Sequence, residues 1–528
     1  MTGELPYGPR TLTHRAALAL TGMAPRLVTR PAGRPRTVAR PTDAVVIGGG
    51  PAGLAASTVL AERGVRVTLL EADDRLGGRV RSWPMTLPDG TPQVLEHGFH
   101  GYFRHYYTLR ALLRRIDPGL SFLTRSDSYP VISRRWPTED FGRLPRLPLL
   151  NLAALSARSP SLSLRGVRPA DLMNLLPLLG FDPVTTYRDL DDTPAAELIA
   201  SVGYPERTQV MLMRSFTRSF FDDDRELSAA EMIMMFHAYF LANPEGLPFD
   251  VLDGDPTTTL WNPLADRLGA LGAEVRTGAP VRSVEPAPAG GWTVTGADGD
   301  RLTARHLVLA TDLPAAQRLI GASPALAARA PALTERVAAL PVAPPYTVAR
   351  LWMDRDCAPE RSPVSMVTGE EELDMLVLYH RFHEPSRAWA RRTGGAVLEL
   401  QALACSPATT AEETLRTLLA ELAVLWPETA AMRPVHTELR KEARASGHRV
   451  GSNRDRPGVR TDARGLRLAG DWVRLPFPAG LMERAAASGV LAANDVLAEE
   501  DREPEPVWSV PVRSPLARWT RGGARRAH

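Results

Sequence analysis

Cysteine is scarce in this 528-residue chain, which contains only Cys357 and Cys405. Two cysteines are too few for a disulfide framework, and their separation fits neither a zinc site nor a redox-active pair. We therefore expect two inert, buried thiols. The simplest location for such a protein is a reducing compartment, so the sequence predicts a cytoplasmic protein.

Long apolar runs are also missing, because polar or charged side chains interrupt every stretch of about 18 residues. The sequence thus predicts no membrane-spanning helix. Lys441 is the single lysine, so arginine supplies nearly all positive charge, and the formal net charge is +3. The positive excess lies in residues 1–42 and 501–528, which leaves the body of the chain mildly acidic. This distribution offers no basic surface for nucleic acid.

What the chain does contain is a βαβ pattern that begins at Asp43. A β-branched run ends in a turn whose glycines are Gly48, Gly50 and Gly53. A helical pattern follows, and a second strand ends at Glu71. Such glycines let backbone N–H groups approach a pyrophosphate at the helix N-terminus, and the acid can accept hydrogen bonds from ribose hydroxyls. The pattern predicts dinucleotide binding, although an S-adenosylmethionine fold can share these glycines and this acid.

Two further features favour FAD. The GGR sequence at 77–79 offers a second glycine-lined approach to a long cofactor, with a cation beside it. The late segment 469–489 (AGDWVRLPFPAGLMERAAASG) passes from a short strand through a Pro/Gly loop into a helix. A helix that starts near Leu481 would direct its positive end at a flavin ring that gains negative charge on reduction. The expected FAD-binding residues are Gly48, Gly50, Gly53, Glu71, Gly77, Gly78, Arg79, Val281, Gly470, Asp471, Leu481 and Met482.

The rest of the chain alternates between two kinds of pattern. Strand patterns recur in three segments, which we assign to one discontinuous FAD-binding domain: 43–125, 255–320 and 440–500. Two other segments, the first mainly helical, are assigned to a substrate domain: 126–254 and 321–439. The predicted fold is α/β, with a Rossmann-like FAD-binding domain of the glutathione-reductase type and an inserted mixed α+β substrate domain. Residues 1–42 are expected to be a disordered basic leader and 501–528 a disordered tail.

These motifs resemble those of the flavin-containing amine oxidase and phytoene desaturase superfamily, in which an early G-x-G-x-x-G, the GGR and a late AGD with a Met-Glu helix serve FAD. Four stretches are similar to actinobacterial isorenieratene synthases, the carotenoid ring desaturase/methyltransferases: 96–120, 217–241, 389–395 and 469–489. The resemblance extends from about residue 43 to 497. Gly480 departs from the family pattern, where another small residue is usual, and the Arg/Pro leader has no counterpart in it.

The sequence also limits the source of electrons. No second G-x-G-x-x-G with a preceding strand lies between 120 and 460, so no NAD(P)H domain is expected. Electrons would then come from the substrate, as in an oxidase or desaturase. The resemblance implies that a carotenoid with a β-ionone ring gives hydride to the flavin, that a methyl group migrates within the ring, and that proton loss completes aromatisation.

Three residues in the loop expected near the flavin could accept that proton: Glu96, His97 and His100. The alternative for each is structural hydrogen bonding of the loop. His97, His100 and His105 lack the partners of a metal site, so no metal is expected.

Several other groups have two possible interpretations. Asp222, Asp223 and Asp224 precede a capping box formed by Ser228 and Glu231, so we expect them to complement a helix N-terminus and not to bind metal. Glu483 is expected to hold the start of the C-terminal helix. Five apolar residues belong either to the hydrophobic core or to the wall of an apolar channel: Met232, Met234, Met235, Phe236 and Phe240.

A carotenoid is stored in membranes, so the enzyme would dock on one, on the inner face of the cell membrane. The Leu/Pro-rich segment 144–167 is the candidate contact, and an ordinary packed loop and helix is the alternative. Two other functions stay open: an amine oxidase with an aromatic cage at the flavin, and a flavin-binding protein without catalysis. The sequence does not indicate an oligomeric state.

Overall fold

The computed structural model describes residues 12–145, 150–159, 161 and 178–514. The β-strands are β1 (Arg26–Thr29), β2 (Asp43–Ile47), β3 (Arg66–Leu70), β4 (Ser82–Thr86), β5 (Pro92–Glu96), β6 (Tyr102–Phe103), β7 (Leu123–Arg125), β8 (Pro130–Ile132), β9 (Glu139–Asp140), β10 (Phe249–Leu252), β11 (Glu274–Arg276), β12 (Val281–Pro286), β13 (Trp292–Gly296), β14 (Arg301–Ala304), β15 (His306–Leu309), β16 (Tyr346–Met353), β17 (Val364–Val367), β18 (Met375–Leu378), β19 (Ala396–Ala402), β20 (Pro434–Glu442), β21 (Leu466–Leu468) and β22 (Val507–Ser509).

The α-helices are α1 (Leu12–Thr21), α2 (Pro51–Glu62), α3 (Tyr107–Leu113), α4 (Leu150–Arg158), α5 (Thr185–Leu190), α6 (Ala195–Ser201), α7 (Glu206–Thr208), α8 (Ser215–Arg218), α9 (Ala229–Phe236), α10 (Asn262–Ala270), α11 (Leu313–Gly321), α12 (Pro324–Arg329), α13 (Pro331–Ala339), α14 (Glu384–Thr393), α15 (Ala411–Leu425) and α16 (Leu481–Glu499). Short 3₁₀ segments are Gly78–Val80, Phe141–Arg143, Tyr379–Arg381 and Pro427–Ala431, and π segments are Gln209–Arg214, His237–Leu241 and Thr257–Trp261.

A five-stranded parallel sheet, in the order β11-β3-β2-β15-β21, is the framework of the N-terminal βαβ unit. Its central strands β2 and β15 are almost continuously buried, as expected for a parallel sheet covered on both faces. α2 follows β2 after a three-residue turn. The N-terminus of α2 therefore lies at the carboxyl edge of the sheet, where α/β proteins bind their ligands.

The C-terminal helix α16 returns to this edge and packs closely on α2. A Cβ atom built on Gly489 would lie 2.0 Å from the carbonyl oxygen of Ala52, so only glycine permits this approach. Nearly all of α2 is buried, which fits a helix that is apolar on every side. The two helices thus bring chain segments more than 400 residues apart to one location.

A second, mixed sheet has seven strands in the order β20-β16-β19-β18-β17-β8-β9. β16 and β19 are buried along their whole length, with α15 packed beside them. The prediction of a mainly helical 126–254 was incomplete, because this segment contributes β8, β9 and β10 as well as helices. β20 extends beyond residue 440, so the division into two domains remains our proposal and its last boundary cuts through a strand.

The predicted disorder of the two termini was wrong for their described parts. Within 1–42, α1 and β1 are ordered, and within 501–528, β22 pairs antiparallel with β1, with Arg26 opposite Ser509. Leu18, Met23 and Val510 are buried in the main core. The prediction of disorder rested on the high Arg and Pro content of the termini. The few apolar residues there nevertheless bury enough surface to order the described parts of both ends.

No helix of the described ranges is long and apolar enough to cross a membrane. Within the candidate membrane contact 144–167, residues 146–149, 160 and 162–167 lie outside the described residues. That contact remains a proposal.

Glu505 links the C-terminal segment to Arg63, which follows the last residue of α2, and to Arg115, which lies just beyond α3. Its carboxylate lies 2.7 Å from Nη2 of Arg63 and 2.8 Å from Nη2 of Arg115. The side chain of Arg63 is only 1% exposed. A buried guanidinium without a partner is costly, so this contact contributes more than an ordinary surface ion pair.

We expect Glu505→Ala to lower the free energy of unfolding by about 2 kcal/mol, because Arg63 would remain buried without its carboxylate. Thermal and chemical denaturation would measure the loss. The matched control is Glu206→Ala. This variant removes an ion pair between Glu206 and Arg135 in which both side chains are 62% exposed. That control is expected to cost less than about 0.5 kcal/mol. Equal losses in the two variants would contradict this account of the C-terminal segment.

Candidate cofactor and substrate site

A cavity of about 900 Å³ lies between the parallel sheet and the seven-stranded sheet. Residues at the ends of β2 and β3 line one part, and residues of β16 and β17 line another. The cavity also receives the first residues of α16. Most of the expected FAD-binding residues line it: Gly48, Gly50, Glu71, Gly78, Arg79, Val281, Gly470, Asp471, Leu481 and Met482.

Gly53 and Gly77 do not line the cavity, and in the structure they instead permit close packing of neighbouring atoms. A Cβ atom on Gly53 would lie 1.8 Å from the carbonyl oxygen of Gly48. Gly77 has a φ of +108°, and its Cβ would lie 2.4 Å from the indole of Trp261. Both glycines therefore permit close packing behind the wall of the cavity, and neither would contact a bound molecule.

Gly48 and Gly50 line a concave part of the cavity, which we call the cradle. Side chains at these two positions would fill it. Gly48 has a φ of +109°, and a Cβ there would lie 2.6 Å from the carbonyl oxygen of Ala310. At Gly50 the nearest atom to such a Cβ is 3.8 Å away, so the space in front of this residue is open. An open approach to backbone N–H groups at a helix N-terminus fits a pyrophosphate. The cradle therefore fits FAD.

Glu71 lies at the end of β3, as the ribose-binding acid of such a site should. Its two carboxylate oxygens accept hydrogen bonds from the backbone N–H groups of Gly49 at 2.6 Å and Asp73 at 2.9 Å. Burial raises the pKa of Glu71. These bonds orient the carboxylate along the cavity wall, where it could meet ribose hydroxyls.

An ion pair closes the cradle between the two ends of the chain. Nη2 of Arg79 lies 2.6 Å from Oδ1 of Asp471, although the residues are 392 positions apart. A second pair, Arg444 with Asp312, lies at 2.8 Å and also lines the cavity. Asp312 additionally caps α11 by accepting a hydrogen bond from the backbone of Ala315. Charged groups thus concentrate on the side of the cavity where a dinucleotide would bind.

The three predicted proton acceptors occupy different environments. Glu96 is buried at the end of β5 and is not among the residues that line the cavity. Burial raises its pKa to about 8, so at neutral pH it is mostly protonated and a poor base. His97 and His100 both line the cavity. Burial lowers the pKa of His100 to about 4, and its Nδ1 has no hydrogen-bond partner.

His97 is held by Glu442, a residue that the sequence did not single out. Nδ1 of His97 lies 3.0 Å from Oε1 of Glu442, and the hydroxyl of Tyr346 lies 3.2 Å from Oε2. Burial alone would raise the pKa of Glu442, but the hydrogen bond and charge of His97 and the charge of Arg444 lower it to about 2. No local motif marks Glu442. The only signal is the pairing of β20 with β16, which sets it opposite Tyr346.

The rest of the cavity is apolar and rich in aromatic rings. Among its lining residues are Phe103, Phe216, Phe220, Phe236, Tyr239 and Phe240. The predicted Met/Phe set divides between the two interpretations, because Phe236 and Phe240 line the cavity whereas the three methionines are buried in the core. The cavity therefore joins a charged, glycine-lined half to an aromatic half.

The aspartates 222–224 do not complement a helix N-terminus as predicted. Asp222 accepts a hydrogen bond from the backbone N–H of His448, and burial raises its pKa to about 6. Asp223 and Asp224 pair with Arg225 and Arg214. Among the residues that the structure describes, no group of His, Cys, Asp and Glu could hold a metal ion.

The capping box of α9 is only half formed. Ser228 Oγ accepts a hydrogen bond from the backbone N–H of Glu231 at 3.4 Å. The carboxylate of Glu231 instead contacts Arg484 at 2.5 Å and the hydroxyl of Tyr187. The charges of Arg484 and His448 outweigh the opposing effect of burial and lower the pKa of Glu231 to about 2. This residue therefore joins α9 to α16.

Glu483 caps the N-terminus of α3 and not, as predicted, the N-terminus of its own helix α16. Its carboxylate accepts hydrogen bonds from the backbone N–H groups of Thr108 at 2.8 Å and Leu109 at 3.0 Å. Burial raises the pKa of Glu483 to about 8. It satisfies two N–H groups that the first turn of α3 would leave unpaired, and so it fixes α16 against the N-terminal half of the chain.

The cradle predicts different outcomes for two neighbouring glycines. We expect Gly50→Val to fold but to bind FAD about 100-fold more weakly, because the side chain would fill open space where hydrogen bonds to a charged phosphate form. Gly53→Val should fail to fold, because its Cβ would overlap Gly48. FAD fluorescence titration and circular dichroism would separate the two outcomes. Gly269→Val, on an exposed face of α10 with no atom within 4 Å of the new Cβ, is the control. Full FAD affinity in Gly50→Val would refute this placement of the cofactor.

Comparison with known proteins agrees with this site. Residues 51–497 match the model of the family described as flavin containing amine oxidoreductase. A protein of Streptomyces griseus named carotenoid phi-ring synthase is 41% identical, over 92% of this chain and 93% of that protein. A protein of the same name from Chlorobaculum tepidum is 27% identical, over 90% of this chain and 92% of that protein.

The fold recurs in solved structures. Putrescine oxidase bound to putrescine superposes with a TM-score of 0.64 at 20% identity, over 87% of this chain and 99% of that one. At this identity the likeness concerns the fold alone, and it confirms the predicted fold class. The glycine cradle, the returning helix and the family match together lead to one conclusion: the chain belongs to the flavin containing amine oxidoreductase family and is an FAD-dependent oxidoreductase.

Proposed function

We propose that the protein desaturates and aromatises the β-ionone ring of a carotenoid, with a 1,2-methyl shift within the ring. The observation that carries this proposal is the aromatic half of the cavity, which is continuous with the glycine cradle for FAD. An apolar ring could therefore lie beside the cofactor. The relatives named carotenoid phi-ring synthase support the same substrate class.

The overall change balances without a methyl donor. FAD, when bound, supplies a two-electron hydride acceptor. Each aromatised ring loses four hydrogens, two as hydride and two as protons. Two rounds of oxidation are therefore needed, and an electron acceptor such as a quinone must reoxidise the flavin after each round. One methyl group of the gem-dimethyl carbon moves to the neighbouring ring carbon, and all carbon atoms are retained. The protein must therefore position the ring, exclude water from a cationic intermediate and accept protons.

His100 is the residue best suited to accept a proton. It lines the cavity, and its lowered pKa of about 4 keeps it neutral at physiological pH. A neutral imidazole has a free ring nitrogen that can act as a base. His97 also lines the cavity, but one of its nitrogens already contacts Glu442. We therefore assign proton acceptance to His100 and a supporting position to His97.

The function can be tested by anaerobic mixing with β-carotene in detergent. We expect the flavin absorbance to bleach when each FAD accepts two electrons. Once an added quinone reoxidises the flavin, the product should lose four hydrogens for each converted ring, with no change in carbon count. Absorbance spectroscopy and mass spectrometry measure both. Bleaching by a small amine but not by β-carotene would instead identify an amine oxidase. Bound FAD that neither compound reduces would identify a flavin-binding protein without this activity.

The role of His100 predicts a specific pH profile. His100→Gln should lower the rate of ring conversion by about 100-fold and leave the FAD content unchanged, because the base is lost while the cradle remains. In the wild type, the rate should be constant from about pH 5 to 8. It should fall as the pH drops through about 4, where His100 becomes protonated and can no longer accept a proton.

The control for this variant is His436→Gln, on β20 and outside the lining of the cavity. It should keep both the rate and the pH profile. If His100→Gln retained the wild-type rate, the proton would have to go to another group.

A further inference from the structure

Four aromatic residues form one connected group in the apolar half of the cavity, and we call them the Tyr239 cluster: Phe103, Phe216, Phe220 and Tyr239. The ring of Tyr239 lies 5.1 Å from that of Phe103 at 89° and 5.4 Å from that of Phe220 at 68°. Phe216 lies 5.1 Å from Phe220 at 71°. All four rings line the cavity, and these edge-to-face contacts hold them in different orientations around it.

The cluster borders the cofactor side of the cavity through Tyr239. A Cβ atom on Gly480 would lie 3.1 Å from the Tyr239 hydroxyl, and Gly480 directly precedes the first residue of α16. The hydroxyl also lies 2.7 Å from that of Tyr106, which fixes the orientation of the ring. A substrate ring close enough to the flavin to lose hydride would therefore lie next to the Tyr239 cluster.

Charged groups are absent from this half of the cavity, as far as the described lining residues show. The charged lining residues all belong to the segments around the FAD cradle, at 71–81, 282, 312–318, 444 and 471. His105 packs on Tyr239 with ring centroids 4.7 Å apart, but burial lowers its pKa to about 3 and keeps it neutral. Aromatic faces are thus the groups available there to stabilise positive charge.

We propose that the Tyr239 cluster stabilises the ring cation from which the methyl group migrates, and that it thereby selects the aromatic product over a ring diene. This inference rests on the proposed function and assigns these rings a catalytic role in it.

The two oxidations of the ring make different demands on the protein. After the first hydride leaves, the cation loses a proton from a neighbouring CH₂ group and becomes a ring diene that keeps the gem-dimethyl carbon. After the second hydride leaves the carbon next to that quaternary carbon, no proton is available on the quaternary side. The C–CH₃ bond to the quaternary carbon must break while a bond to the cationic carbon forms. The carbon that received the methyl group then loses its proton to a base, and the ring is aromatic.

The second cation must therefore persist until a carbon–carbon bond has moved. Aromatic faces suit this task better than a carboxylate, because they attract positive charge but neither bond to it nor remove protons. A cation in an apolar cavity without such faces would be strongly disfavoured. Weakening the rings should therefore stop the reaction at the diene, with two hydrogens lost and both methyl groups in place.

The test replaces Phe216 and Phe220, one at a time, by phenylalanines with increasing ring fluorination. Fluorine withdraws electron density from the ring face at nearly constant shape, so a purely structural role would not respond. We expect the ratio of aromatic product to diene to fall about tenfold across the series, which corresponds to about 1.4 kcal/mol in the barrier. FAD content should be unchanged. Products formed from β-carotene in the presence of a quinone that reoxidises the flavin would be resolved by chromatography and mass spectrometry.

Two controls make the result specific. Fluorination of Phe141, which lines the cavity but packs in a different apolar cluster, should leave the product ratio unchanged. Tyr239→Phe and Tyr239→Leu both lose the hydroxyl contact with Tyr106, but only Tyr239→Leu loses the aromatic face, so the ratio should be lower in Tyr239→Leu than in Tyr239→Phe. An unchanged ratio at Phe216 and Phe220, or an equal change at Phe141, would overturn the role of the cluster while ring conversion by the wild type still stands. Failure of the wild type to convert β-carotene at all would instead overturn the proposed function, and this inference with it.

Discussion

The close packing of α16 on α2 is the constraint on which the site depends. Gly489 meets the backbone of Ala52 at a distance that no side chain would allow, and this contact sets the first turn of α16 beside the glycine turn after β2. The ion pair between Arg79 and Asp471 and the bonds from Glu483 to the first turn of α3 reinforce the same junction. A cofactor as long as FAD would need such a closure, because in the proposed site its two ends would contact segments that lie at opposite ends of the chain.

The parts of the site that sequence could predict are those whose geometry is local. Gly48, Gly50 and Glu71 belong to one βαβ unit, in which chain geometry fixes the glycine turn at the helix start and the acid at the end of the next strand. Glu442 could not be predicted, because it meets His97 across 345 residues and only through strand register. The position of Tyr239 in the cavity could not be predicted either, because an aromatic residue in an apolar helical segment has the same sequence pattern whether it faces the core or a cavity.

Charge is divided across the cavity in a way that suits an oxidation of an apolar ring. The cradle contains paired arginines and carboxylates, whereas the aromatic half contains none among the described lining residues. Burial also changes the protonation of nearby groups: it raises the pKa of Glu96 to about 8 and lowers that of His100 to about 4. Glu96 is therefore mostly neutral at physiological pH, and so is the imidazole of His100, which lines the cavity.

Under the proposed function, this division would allow hydride removal and proton removal to be separated in time. In the proposed reaction the first cation loses a proton from a neighbouring CH₂ group, whereas the second cation has no such proton on the quaternary side and must rearrange first. A neutral histidine at the edge of the cavity is a weak base, with a pKa near 4, so it captures only a proton that has become strongly acidic. The proton released when a ring becomes aromatic is of that kind. Under the proposed function, a weak base in an apolar, aromatic cavity would be sufficient for the final deprotonation, which follows the methyl shift.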